Sequence, residues 1–169
     1  FAHRPELTAI QARAILENTT DSLDYGDLDP DLGYIGTGRV NAYRALQAAD
    51  EAHPLGEIFA PRPRQTFPVD SNAIELSLFV YGDSFQLDYR PYGQSDWMAI
   101  AEGGAPTDPN GVTSVSLANP GVGTYELRLR VTRGDRTHTD RRIFAISGAA
   151  SQARWPKPQD PEDEDYYWI

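Results

Sequence analysis

The residues of this chain whose types can do chemistry are three histidines, a run of alternating aspartates, a Gly-x-Gly turn, a few serines and a group of aromatics. A metal site would need His3, His53 and His138 to converge. They are far apart and fall in segments that read as loops or strand edges, so solvent-facing histidines are expected. Asp27, Asp29 and Asp31 alternate as calcium-loop ligands do. Pro30 interrupts them, the sixth place lacks its turn Gly, and Gly38 occupies the twelfth, where a Glu should stand. The expectation is a solvated acidic loop with no cofactor, calcium being the alternative. Gly36-x-Gly38 before a helix suggests a phosphate cradle, yet it follows no strand and lacks a Lys. The glycines are read as permitting a tight turn and close helix approach. Nothing in the spacing of Ser114, Ser116 and the aspartates assembles a triad. Tyr89, Tyr92 and Trp97 can form an aromatic ligand platform; core or edge packing is the plainer reading.

Composition narrows the classes further. The 169 residues suffice for one ordinary domain or a small domain with an appendage. Hydrophobic residues make up 40% and charged residues 24%, so a core can form, while 14 Gly and 13 Pro call for many turns. Cys is absent, which removes disulfides, thiolate nucleophiles and Cys-ligated metals. A net charge of −10 argues against non-specific nucleic-acid binding, which needs Lys and Arg on phosphates. No apolar run reaches membrane-spanning length. The chain opens on Phe1-Ala2-His3-Arg4 without Met, which reads as a processed or truncated product.

Three segments are expected to position these residues. Residues 1–53 read as helical. Thr8-Ala9-Ile10-Gln11 fits a capping box, with a helix from about Ala9 to Asn18. Ile10 and Ala14 share one face, Ala12 and Leu16 the next, and Thr19-Thr20 ends the run. A second helix is expected from near Arg39 to near Asp50, with Val40, Tyr43 and Leu46 as one stripe and Ala42, Ala45 and Ala49 beside it. Two helices this short cannot bury enough surface alone, so their alanine-rich faces need a partner.

Residues 54–148 change period. Ile74-Glu75-Leu76-Ser77-Leu78, Phe85 to Arg90 and Tyr125 to Thr132 alternate apolar with polar. Val112 to Leu117 and Arg142 to Ile146 add shorter strands, and Arg133-Gly134-Asp135-Arg136 reads as a tight hairpin turn. Around seven short strands with no helix between them predict a β-sandwich of immunoglobulin or fibronectin-type-III size. Tyr125 suits a tyrosine corner. Residues 149–169 carry two basic and five acidic residues and should be extended and solvated. They close on Tyr166-Tyr167-Trp168-Ile169, read as contacts for this chain or a partner. The fold class is α+β overall, a short helical segment followed by an all-β sandwich and an acidic tail.

The phrases Pro5, Leu7, Thr8; Gln11, Arg13, Ile15, Leu16; Thr19, Thr20, Asp21; and Gly36, Gly38, Arg39, Val40, Asn41, Ala42 occur in order over roughly the first quarter of the chain. They resemble the carboxyl end of a subtilisin-like serine protease domain, downstream of its catalytic serine. Phe85-x-Leu-x-Tyr, Trp97-x-x-Ile100 and Gly123-Thr124-Tyr125 to Val131 are similar to sandwich modules appended to such proteases. The family's Gly-Thr-Ser-Met-Ala and His-Gly-x-His phrases are absent, so no catalytic residue carries over. The resemblance implies a non-catalytic C-terminal portion of a secreted protease, extracellular or in the cell envelope. Its partner would be the upstream protease part, and the sandwich would serve stabilisation or targeting. The alternative is a processed structural subunit of a larger extracellular assembly.

Overall fold

Alternating apolar side chains make strands wherever both faces find a partner, and eight segments of this chain do so. In a computed structural model the described residues are 4–22, 38–106 and 111–148. Two helices come first, α1 (Ala9–Asn18) and α2 (Ala42–Gln47). The strands are β1 (Leu55–Ala60), β2 (Gln65–Pro68), β3 (Ala73–Tyr81), β4 (Ser84–Pro91), β5 (Met98–Gly104), β6 (Val112–Ala118), β7 (Gly123–Arg133) and β8 (Arg136–Ser147). They form a three-stranded sheet in the order β1-β3-β6 and a five-stranded sheet in the order β2-β8-β7-β4-β5. All pairings are antiparallel except β2 with β8. The described residues are thus mainly β, two sheets face to face as a sandwich. No helix among them is long and apolar enough to cross a membrane.

The sandwich core is the sum of the inward positions. Leu127, Leu129 and Val131 on β7 are fully buried, and Ile74, Leu76, Leu78 and Val80 on β3 meet them from the other sheet. Burying each such side chain stabilises by about 1.5–3 kcal/mol relative to exposure. The β7–β8 connection is the two-residue turn expected from the sequence, with Gly134 at φ 59°, where a Cβ would be strained. Tyr125 fills the end of the core, stacked on Phe144 at 5.5 Å. Its hydroxyl lies 3.1 Å from the Gly121 carbonyl oxygen and 3.2 Å from that of Pro120, the geometry of a tyrosine corner.

The helical layer lies on the outer side of the small sheet. Thr8 caps α1 in the expected capping box: its hydroxyl accepts from the Gln11 N–H, and the Gln11 side-chain oxygen accepts from the Thr8 N–H. The face that α1 buries is not the one the sequence suggested. Ala14 and Ile15 are covered, Ala14 against Leu55 and Phe79, while Ile10 and Leu16 stay exposed. Polar contacts set that rotation. Arg13 reaches Glu57 of β1 at 2.7 Å, and Asn18 Nδ2 donates to the Pro54 carbonyl at 2.7 Å. The second helix is shorter than expected because Asn41 caps it and Ala48 ends it. Ala45, Ala48 and Ala49 are buried, so most of the alanine side of this layer is covered within the chain itself, while Ala42 stays exposed. Val40, Tyr43 and Leu46 are not: they are 62%, 70% and 56% exposed.

Candidate interaction site

Asp21, at the end of α1, gathers the residues of the Gly-Arg-Val-Asn phrase. Its N–H donates to the Arg39 carbonyl at 2.8 Å and its carbonyl accepts from the Arg39 N–H at 3.1 Å, a single β-bridge. A Cβ on Gly38, at φ 131°, would overlap the Asp21 carbonyl oxygen, so only glycine permits this approach. The Asp21 carboxylate accepts from Asn41 Nδ2 at 2.9 Å, and it pairs with Arg39 and Arg44, each at 3.2 Å. Asn41 turns its oxygen to the Arg44 N–H at 3.0 Å, capping α2. The hydrogen bond from Asn41, followed by that from Arg39, holds the Asp21 carboxyl below its usual range. One carboxylate therefore ties the end of α1, the turn and the cap of α2 together. The adjoining Val40, Tyr43 and Leu46 form an apolar stripe that nothing in the described residues covers.

A second surface lies on the outer face of the five-stranded sheet. The alternation of β4 and β7 sets Asp88 opposite Arg128 and Arg90 opposite Glu126. The alternation puts these charged residues on the face away from the core, yet Asp88 and Glu126 are each only 2% exposed. Asp88 pairs with Arg128 at 2.9 Å and Arg130 at 3.0 Å; Glu126 pairs with Arg90 at 2.7 Å and Arg141 at 3.3 Å. The Trp97 ring lies over these groups, 4.0 Å from the Arg128 guanidinium and 4.3 Å from that of Arg90. The three aromatics do not make one platform. Tyr89 packs inward, 6.2 Å from Tyr125, because it shares the core side of β4 with Leu87. Tyr92 donates its backbone N–H to Thr124.

A third group closes the sandwich at the free edge of β1. His138, Asp140 and Arg142 stand at every second residue of β8 and face β1. The Gly56 N–H donates to His138 Nδ1 at 3.2 Å, the Ile58 N–H to Asp140 at 2.7 Å, and Arg142 donates to the Ile58 carbonyl at 3.0 Å. These side chains stand in for a neighbouring strand. Burial raises the Asp140 carboxyl above its ordinary range despite the Ile58 hydrogen bond. Accepting on Nδ1 puts the His138 proton on Nε2, which faces Glu17 of α1 at 3.4 Å. Burial works to raise Glu17, but the nearby His138 and the hydrogen bond from Arg13 outweigh it and leave that carboxyl lowered.

His53 and His138 correct the expectation of solvent-facing histidines: they are 3% and 6% exposed. His138 completes the β1 edge. His53 Nε2 lies 3.3 Å from the Ala48 carbonyl, and burial holds its imidazole below the usual range, hence neutral. The partner of His138 is a backbone group 82 residues away, which its local sequence does not signal, whereas His53 meets a carbonyl five residues before it. Ser114 and Ser116 sit exposed on β6, opposite Ser77 and Glu75. Among the described residues no group of three His, Cys, Asp or Glu is placed to hold a metal. His3, Asp27, Asp29, Asp31, Gly36, Tyr166, Tyr167, Trp168 and Ile169 lie outside the described residues.

No protein-family profile and no curated protein matches this chain. Among solved structures it is similar to an engineered protein, with 14% identity over 66% of this chain and 25% of that one, at a TM-score of 0.43. It is similar to fibronectin(III)-like modules of Clostridium thermocellum CbhA, with 15% identity over 57% of this chain and 100% of that one, TM-score 0.43. A β-glucuronidase of Bacteroides uniformis is similar over 66% of this chain and 14% of its own length, at 12% identity and TM-score 0.43. The chain thus spans a quarter or less of the engineered protein and of the glucuronidase.

Proposed function

We propose that this chain is the non-catalytic C-terminal portion of a secreted subtilisin-like serine protease, with peptide-bond hydrolysis in a part upstream of Phe1. The observation that carries the reading is the knot at Asp21. The phrases Thr19-Thr20-Asp21 and Gly38-Arg39-Val40-Asn41, which resemble the family in wording and order, meet there through one carboxylate and one bridge. The open Val40, Tyr43 and Leu46 stripe supports it, since a helix face of that kind is covered in a finished domain. That α1 buries Ala14 and Ile15 on the chain's own small sheet leaves the need for a covering body resting on this stripe alone.

In this reading the helices complete the protease domain and contribute stability rather than chemistry. The sandwich is an immunoglobulin- or fibronectin-III-like module that stabilises or targets the enzyme. The division of strands between the sheets and the Tyr125 corner favour that class. Extracellular or cell-envelope location follows from the same resemblance. The test is the coding sequence upstream of Phe1 and the protein made from it. A Gly-Thr-Ser-like phrase shortly before Phe1, and labelling of the parent by a fluorophosphonate probe, are expected. An upstream sequence without that phrase overturns the reading.

The exposed stripe equally suits a processed subunit of a larger extracellular assembly. Native mass spectrometry distinguishes the two: a stable complex with a chain that the fluorophosphonate does not label favours the subunit.

A further inference from the structure

We propose that the guanidinium-covered outer face of the five-stranded sheet is a docking surface for the chain's own acidic residues Asp160, Glu162, Asp163, Glu164 and Asp165. This is independent of the protease reading. The whole chain carries −10, yet this face sets Arg90, Arg128, Arg130 and Arg141 against Asp88, Glu126 and Glu102 and so carries an excess of one positive charge. Asp88 and Glu126 lie beneath, 2% exposed, so around Trp97 the face offers solvent the edges of guanidiniums, and Glu102 is the exposed carboxylate at its β5 margin. Arg130 is the most open of the four, its side chain 36% exposed. Beside it runs an open groove in which Ser84, Gln86, Thr132 and Thr137 can donate to an oxyanion, with the Glu102 carboxylate on its β5 side.

The occupant is fixed by charge and reach. Five carboxylates within six residues are the densest acid in the sequence, and they directly precede Tyr166, Tyr167 and Trp168, which can stack on arginine as Trp97 does. Arg141 stands six residues from Ser147 along β8, about 20 Å at strand rise. Twelve residues from Gly148 to Asp160 span at most about 40 Å, so the acidic residues reach the face without strain. A linker of this length gives a millimolar effective concentration, so even weak ion pairs would be populated within one chain.

The absence of cysteine makes the test clean. In the full 169-residue chain, Glu164→Cys supplies a single thiol for a nitroxide, and the indole N–H of Trp97 is read by NMR with the label oxidised and reduced. The expected result is loss of at least about half of the Trp97 signal at about 0.01 M ionic strength. Recovery is expected at about 1 M, where the Debye length falls from about 30 Å to 3 Å. Arg130→Gln with Arg141→Gln should restore the signal at low salt. Arg128 stays on Asp88 and Arg90 on Glu126 in that variant, so the sheet remains paired. Equal Trp97 signals in the oxidised and reduced samples overturn the proposal. So does broadening that persists at high salt and in the double variant. Broadening of an unlabelled, isotope-enriched chain mixed with labelled chain overturns the intramolecular assignment in favour of a second copy.

Discussion

The sandwich and the helical layer both have amphipathic sequences, but only one of them is finished within the described residues. On β7, Leu127, Leu129 and Val131 are 0% exposed. Tyr43 and Leu46 on α2, and Val40 just before its cap, are more than half exposed. A sheet face of the sandwich meets a second sheet supplied by the same chain, so its apolar stripe closes. The helix has two sides to satisfy and one neighbour. Its alanine side takes that neighbour because small side chains allow close approach, and the larger apolar side chains are left outside. The lesson is that periodicity identifies which face is apolar and leaves open whether the chain itself supplies the cover.

That contrast can be broken from the sandwich side first. Leu129→Ala removes a fully buried side chain from the middle of β7 and should cost about 2–5 kcal/mol, read as a lower urea midpoint at unchanged slope. An unchanged midpoint would mean that the core is not packed as described. Next in size is Asp140→Ala, which leaves the Ile58 N–H without its acceptor. A cost of about 1–3 kcal/mol is expected, with loss of hydrogen-exchange protection confined to β1 and β8. Asn41→Ala removes the α2 cap and one ligand of Asp21, a loss of about 1 kcal/mol read in the same denaturation. Smallest is Leu46→Ser on the open stripe, which should stay within about 0.5 kcal/mol in this chain. The same change should weaken attachment to an upstream protease part in the parent protein, and equal effects in both settings would remove the contrast.

Acid sharpens the comparison between the α1 contact and the β1 edge. The lowered Glu17 carboxyl contributes stability that is present above about pH 4, the ordinary carboxylate range, and is lost as pH falls through its folded value. The raised Asp140 has the opposite sign. Its contribution is present at low pH and is lost as pH rises through the elevated value. On acidification the stability advantage over Glu17→Gln should shrink while that over Asp140→Asn grows. Parallel curves from urea melts across pH would contradict the assigned burial and partners.

Much of the frame was legible in local sequence. The capping box at Thr8 and Gln11, the alternation of Tyr125 to Thr132 and the Gly134 turn depend on neighbours within a few residues, and each is seen where expected. The rotation of α1 was not, because Ala14 and Ile15 are chosen over Ile10 by contacts with Leu55, Phe79 and Glu57. Nor was the burial of His138, whose partner comes from distant backbone. At the candidate site, the Gly-Arg-Val-Asn phrase was visible as a phrase. Its convergence on Asp21, eighteen residues from Arg39, was not.

By itself the sequence determined the charge balance, the absence of cysteine, the strand-rich segment and the apolar Val40, Tyr43 and Leu46, because these follow from residue types and their spacing. Tertiary structure alone decided that Asp88 and Glu126 lie beneath a layer of arginines and that His138, Asp140 and Arg142 complete an edge of β1. Hydrogen bonds and ion pairs of that kind join residues from 15 to 84 positions apart. No local pattern encodes which distant donor will meet which acceptor; the packing of the two sheets does.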